Sequence, residues 1–237
     1  MTANDHGVAT RSFRPDAPDA LGSGSGPAVT FATTEHFNLQ TARALTVSEA
    51  NGRASIYLAA LASNLIALAF IGQMSRLGTA FYAFALILLP VLAFVGTVTF
   101  LRLVQSSVED IAYAYRIALV RSYYLRLAPE LEPYLVVLRG TQAAPFHGVP
   151  GAWQLALTAA GMVAVVNSVV VAACAGLVLV AGGVDSLAIP VAVGALVGAG
   201  AFALHERHHR RALHSYSPGA VDRAAILIPP PQPADAA

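Results

Sequence analysis

The run His205-Glu206-Arg207-His208-His209 is where residue types and spacing match a known chemistry, the H-E-x-x-H pattern. On a helix, His205 and His209 lie one turn apart on a shared face. Both rings can then reach one zinc ion while Glu206 acts as general base of a hydrolase. The third protein ligand that such a site needs is not evident; Asp222, His214 or a residue of the polar stretch 102–156 would have to supply it. The surroundings favour a different use. Arg207, Arg210 and Arg211 make the run basic, and it follows directly on an apolar stretch. Cations at such a place meet anionic lipid headgroups and the negative end of a helix. The expectation is an interfacial anchor, with no catalytic residue and no metal or other cofactor; a zinc-dependent hydrolase is the lesser alternative.

Two amides come next. Asn64 and Asn167 each sit inside an otherwise apolar stretch, beside Ser63 and Ser168. An amide in hydrocarbon needs a partner, so both should face other helices and hold them by hydrogen bonds; the alternative is a polar pathway lined by these residues. No Asp, Glu, Arg or His accompanies them within the apolar stretches, which argues against a proton-coupled transporter. Gly194-x-x-x-Gly198 and Ala172-x-x-x-Gly176 have the spacing that lets helix backbones approach closely, within one subunit or between subunits. Cys174, the single cysteine, has no intramolecular disulfide partner and reads as a small packing residue.

A third group lies in the polar stretch, where Tyr113, Tyr115, Tyr123 and Tyr124 are interleaved with Arg116, Arg121 and Arg126. This mixture suits packing and ion pairing, or recognition of a phosphate or a protein partner. No P-loop, G-x-G-x-x-G or G-x-S-x-G element is present in a fitting context. All fourteen cations are arginine, so amine nucleophiles and Schiff bases are excluded. A net charge of +1 gives no basic surface for nucleic acid.

The elements that position these residues follow from hydropathy. Stretches 54–74, 79–101, 157–181 and 186–204 are apolar and free of charged side chains. Each suffices for a helix across a hydrocarbon core of about 30 Å, which takes roughly 20 residues. With 56% hydrophobic and 11% charged residues, the chain falls outside the composition of soluble globular proteins. No early apolar core marks a signal peptide, so the first span is expected to serve as an uncleaved insertion signal. Short turns join spans one and two and spans three and four, giving two helical hairpins. Those turns hold only Arg76 and Asp185, and the other thirteen arginines lie elsewhere. By the positive-inside rule both termini and the stretch 102–156 face the cytoplasm, in the inner membrane of a bacterium.

The domain expectations are a disordered tail over 1–33, a cytosolic helix over 34–53, a first transmembrane hairpin over 54–101 and a helical insert over 102–156. A second hairpin over 157–204 and a basic anchor with a proline-rich disordered tail over 205–237 complete the chain. Nothing between Thr79 and Ala128 breaks a helix except Pro90, which a membrane helix tolerates. The second span should therefore continue as one rod of about 50 residues, or roughly 75 Å, until Pro129. On that rod Val104, Val108, Ile111, Tyr115, Ala118, Ser122 and Leu125 recur at alternating spacings of four and three, the pattern of a packed or coiled-coil seam. The seam should pack on the helix 34–53, join subunits, or do both. A short helix at 129–138 within a loop to residue 151 completes the insert.

The run TFLRLVQSSVEDIAYAYRIALVRSYYLRLAPELEPY (99–134) and SEANGRASIY (48–57) resemble a group of small, actinobacterial-type four-span membrane proteins with a similar insert after a helical hairpin. The resemblance covers residues 35–168 and implies no activity and no site residues. In architecture alone, a hairpin with a helical extension also resembles two-span membrane effector domains of bacterial conflict systems, which implies oligomerisation and membrane breach. Taken together, the expectation is an all-α polytopic membrane protein, not an enzyme, in contact with the lipid bilayer and homo-oligomeric. Its rod would bind itself or a cytosolic protein partner; an oligomeric pore is the alternative.

Overall fold

The computed structural model describes residues 21–134 and 157–215, with side chains from residue 26 onward in the first segment. Four α-helices carry the fold: α1 (Leu21–Met74), α2 (Thr79–Leu127), α3 (Ala159–Ala181) and α4 (Ala188–Ser215). A single 3₁₀ turn at Pro129–Leu131 follows α2. Among the described residues there is no strand. All four helices are long and apolar enough to cross a membrane, and their outer faces remain apolar, as lipid contact requires.

Helix α1 runs unbroken for 54 residues and begins at Leu21, inside the stretch 1–33 where composition predicts a disordered tail. Two local features make the earlier start workable. Pro27 falls in the second turn, where its missing N–H costs only one early helical bond. Thr30, Thr33 and Thr34 each donate a hydroxyl bond to the carbonyl four residues back. The expectations for residues 1–20, 135–156 and 216–237 lie outside the described residues.

Helix α2 continues through Pro90 for 49 residues and ends at Leu127, before the residues that Pro129 constrains. Contacts between α1 and α2 pair residues in opposing order: Gly72 lies near Phe81, Tyr57 near Gly96, Arg43 near Asp110 and His36 near Tyr124. On α1 the covered positions Leu39, Arg43, Thr46, Ala50, Ala54, Tyr57, Leu61, Asn64 and Leu68 form one stripe at spacings of three and four. On α2 its counterpart is Ala85, Leu89, Leu92, Gly96, Phe100 and Leu103.

Beyond Leu101 the face that α2 turns to α1 differs from the sequence expectation by one residue. Asp110 binds Arg43, Ile117 is buried, Tyr124 stacks near His36, and Ala114 and Arg121 line the same groove. Asp110, Ala114, Ile117, Arg121 and Tyr124 lie one residue, about 100°, from Ile111, Tyr115, Ala118, Ser122 and Leu125. Apart from the buried Ile117 both sets are half-buried; Ala118 of the expected seam lines the same groove and Val104 is buried. The Arg43–Asp110 pair is the part of this contact that apolarity does not reveal.

Helices α3 and α4 meet through backbone-scale contacts. A Cβ added at Gly194 would sit 2.7 Å from the Ala172 carbonyl oxygen, and one at Gly198 would sit 2.8 Å from the Ala172 Cβ. Gly176 faces the Pro190 carbonyl in the same way, at 3.0 Å. The two small-residue motifs thus pack against each other within one chain. Thr158 caps α3, its hydroxyl accepting from the Gly161 amide at 3.0 Å. Gly183, at φ +89°, closes the other end with Val184 N bonded to Leu179 O, a Schellman arrangement. Gly198→Leu should separate α3 from α4 at a cost of about 1–3 kcal/mol. Gly200→Leu, with open space at its Cα, should change little. Thermal unfolding of both variants in detergent checks the contrast.

Candidate functional site

The interior is built on two levels. The lower level centres on Asn167 of α3, which is fully buried. Its amide lies 3.2 Å from the Tyr57 hydroxyl of α1 and 3.0 Å from the Thr97 hydroxyl of α2. Both orientations of the amide close this pair of contacts. The flipped one also lets Nδ2 donate to the Ala93 carbonyl at 3.2 Å while Oδ1 accepts from Thr97. Room for the amide comes from Gly96, where a Cβ would collide with both Asn167 and the Tyr57 hydroxyl. Three helices therefore share one satisfied polar node in an apolar interior.

Asn64 behaves differently. Its Nδ2 donates to the Ala60 carbonyl of its own helix at 2.8 Å, and Ser63 bonds to Ala59 likewise. Ser168, beside Asn167, bonds back to Ala164. Tyr57, Gly96 and Thr97 are members of the node that sequence reasoning missed; the signal was a Gly-Thr pair inside an apolar span, where small and hydroxyl residues mark close contact.

The upper level lies at the end of the apolar stretches. Phe100 is 2% exposed and packs with Ala54, Tyr57, Leu103, Val104 and Val163. The His205 ring meets it edge-on at 4.5 Å, and those of His208 and His209 lie 6.2 and 6.3 Å away. His205 Nδ1 lies 2.7 Å from the Ala201 carbonyl, an acceptor, so that nitrogen carries the proton; Nε2 is buried without a partner. Glu206 accepts from Arg210 Nε at 2.7 Å, so the carboxylate of the H-E-x-x-H run is held in an ion pair. Zinc takes four ligands, at least three from protein, and no three His, Cys, Asp or Glu side chains converge among the described residues. Asp222 is outside those residues, and His214 is exposed on the last turn of α4. The rings of His205, His208 and His209 are grouped around Phe100.

Above this level α1 and α2 continue together. Arg43 Nε and Nη2 donate to Asp110 Oδ1 and Oδ2 at 2.7 and 3.1 Å, a two-pronged pair linking the helices. The hydrogen bonds that Arg43 donates to Asp110 raise its pKa, against the opposing effect of burial. One side of the pair opens into a groove of about 830 Å³ lined by Gln40, Asn51 and Arg121. The other side is a cavity of about 240 Å³, where Ser107 and Ile111 meet Thr158, His209 and Leu213. Within the tyrosine and arginine run, Arg116 lies over Tyr113 at 5.9 Å and Arg126 over Tyr123 at 6.0 Å, and the Tyr123 and Tyr124 rings are 6.3 Å apart.

His209 lies five residues beyond the apolar stretch and is 2% exposed. Burial holds its pKa below the ordinary 6.5; Glu206 opposes this and His208 adds to it. On the extension, burial and Arg121 lower His36 in the same way. As pH falls through about 6.5 the unfolded chain takes up protons that the folded chain still refuses. Stability is therefore present in full above that pH and is lost below it. His209→Gln should flatten the dependence of unfolding midpoint on pH between about 5.5 and 7.5, leaving the share of His36. Asn167→Leu should cost about 1–2 kcal/mol by orphaning the Tyr57 hydroxyl, while Thr97 keeps its bond to the Ala93 carbonyl, read by thermal unfolding in detergent.

With this geometry in view, no protein-family model, no curated protein and no solved structure matches the chain.

Proposed function

We propose that the chain is a non-enzymatic scaffold of the bacterial inner membrane, its four helices crossing as two hairpins with both termini and the rod on the cytoplasmic side. The arginine distribution supports that orientation: the turns at the far end carry Arg76 and Asp185 alone. In this reading the rod is α1 up to Arg53 together with α2 from Arg102, and it assembles the protein with itself or with a cytosolic partner.

The observation that carries the reading is the apolar surface of the rod. Phe31, Phe37 and Leu45 are 75%, 64% and 64% exposed on a segment lying outside the apolar stretches. Large apolar side chains standing in water mark an interaction surface. The half-buried Tyr115/Ala118/Ser122/Leu125 stripe adds to it; among the described residues α4 meets α2 near Ile111 and Leu213 and ends at Ser215. Two helices alone cover one side of each other, and further helices complete such a bundle. Phe37→Asp combined with Leu45→Asp should abolish assembly while leaving the fold intact, since both side chains are exposed. Native mass spectrometry of the detergent-released protein reads this as conversion of an oligomer or complex to a monomer. A wild-type chain that is monomeric and captures nothing through its rod would sink the proposal.

A further inference from the structure

Arg76 is unexplained by the functions considered so far: it is the lone cation at its end of the bundle among the described residues. Its backbone is also unusual. Arg76 and Leu77 have φ of +50° and +58°, two consecutive left-handed residues, neither of them glycine. They close α1 in a Schellman turn, with Leu77 N bonded to Gly72 O at 2.9 Å, where Arg76 holds the place usual for glycine. The turn at the end of α3 uses Gly183 at the corresponding place. Left-handed strain at a non-glycine position persists where the side chain has a use.

Beside this turn lies a groove of about 610 Å³ between α1 and α2. Its walls are Leu65, Leu68, Ala69, Leu77 and Phe81, and its polar members are Gln73 and Arg76. From Leu65 to Arg76 the groove follows α1 for about 16 Å, the length of a good part of an acyl chain. An apolar slot ending in a guanidinium and an amide has the complement of a lipid: chain in the slot, phosphate at its end.

We propose that this groove is a binding site for an anionic phospholipid. The Arg76 guanidinium donates to the phosphodiester, Gln73 adds a neutral hydrogen bond, and the acyl chain lies along Leu65, Leu68 and Phe81. The proposal rests on the reading that α1 and α2 cross a membrane, and not on which face the rod occupies or on what the rod binds. One cation near a membrane surface contributes about 1 kcal/mol towards anionic over neutral lipid, a preference of about five-fold.

The test uses the full-length protein in vesicles doped with a photoactivatable phosphatidylglycerol or the matched phosphatidylcholine, with crosslinks mapped by mass spectrometry to residues 65–81. Wild type should be labelled there about five-fold more by phosphatidylglycerol. Arg76→Gln and Arg76→Gly should lose that preference, and Arg207→Gln should keep it. Arg76→Gly relieves the left-handed backbone, so an unchanged or raised unfolding temperature shows that the turn is intact. Equal labelling by the two lipids in wild type, or a preference that survives in Arg76→Gln, overturns the site while leaving the membrane reading standing. Absence of label together with extraction of the chain by alkaline carbonate overturns both.

Discussion

The bundle depends on one polar node in an apolar interior. Where lipid is the solvent, helices gain nothing from excluding water from one another, and a buried amide without partners is costly. Asn167 meets this constraint by engaging Tyr57 and Thr97, so that α1, α2 and α3 must come together in one register to satisfy it. Gly96 belongs to the same requirement, because the amide occupies the volume its side chain would fill. The node fixes which faces meet. The leucine and valine contacts of the cluster at Leu61, Leu89, Leu92 and Val170 then supply dispersion without choosing between alternatives.

A second join, between α3 and α4, rests on small residues. Gly194, Gly198 and Gly176 bring backbone against backbone. At the upper level the two halves meet around Phe100, which touches the imidazoles of α4. Histidine suits that position: its ring packs like an aromatic, while its nitrogens can take a carbonyl partner near the boundary with water. The same choice makes the junction sensitive to acid, since a charged ring is poorly tolerated where His209 is buried.

Sequence periodicity and hydropathy made much of this legible. Four charge-free stretches mark the four helices, and the absence of breakers before Pro129 marks the length of α2. The need of Asn167 for a partner was also visible. The partners were not, because a hydrogen bond across 70 or 110 residues of sequence leaves no local trace. On the rod, apolar spacing pointed to a seam from Val104 to Leu125, of which Val104 is buried and Ala118 lines the groove beside α1. The Arg43–Asp110 pair, one residue from that seam, carries no weight in a hydrophobic pattern. The start of α1 at Leu21 escaped for a related reason: glycine and serine signal flexibility locally, and the helix prolongs one that is anchored far downstream. In the H-E-x-x-H run Glu206 is paired with Arg210 and the His205 ring packs on Phe100, contacts that the letters of the motif do not encode.

Neither α1 nor α2 is interrupted between its apolar and polar parts. From Ala54 outward α1 extends for about 50 Å to Leu21, against about 30 Å from Ala54 inward to Met74. A helix with every backbone bond intact has no joint at Ala54, and bending it there would mean breaking several of those bonds together. The pair α1 and α2, clasped by Arg43 and Asp110, is therefore a lever with unequal arms. A small sideways displacement at the outer tip arrives, reduced by the ratio of the arms and reversed in direction, at the far turn that bears Arg76. The node at Asn167, close to where the arms meet, is the fulcrum about which the pair would tilt.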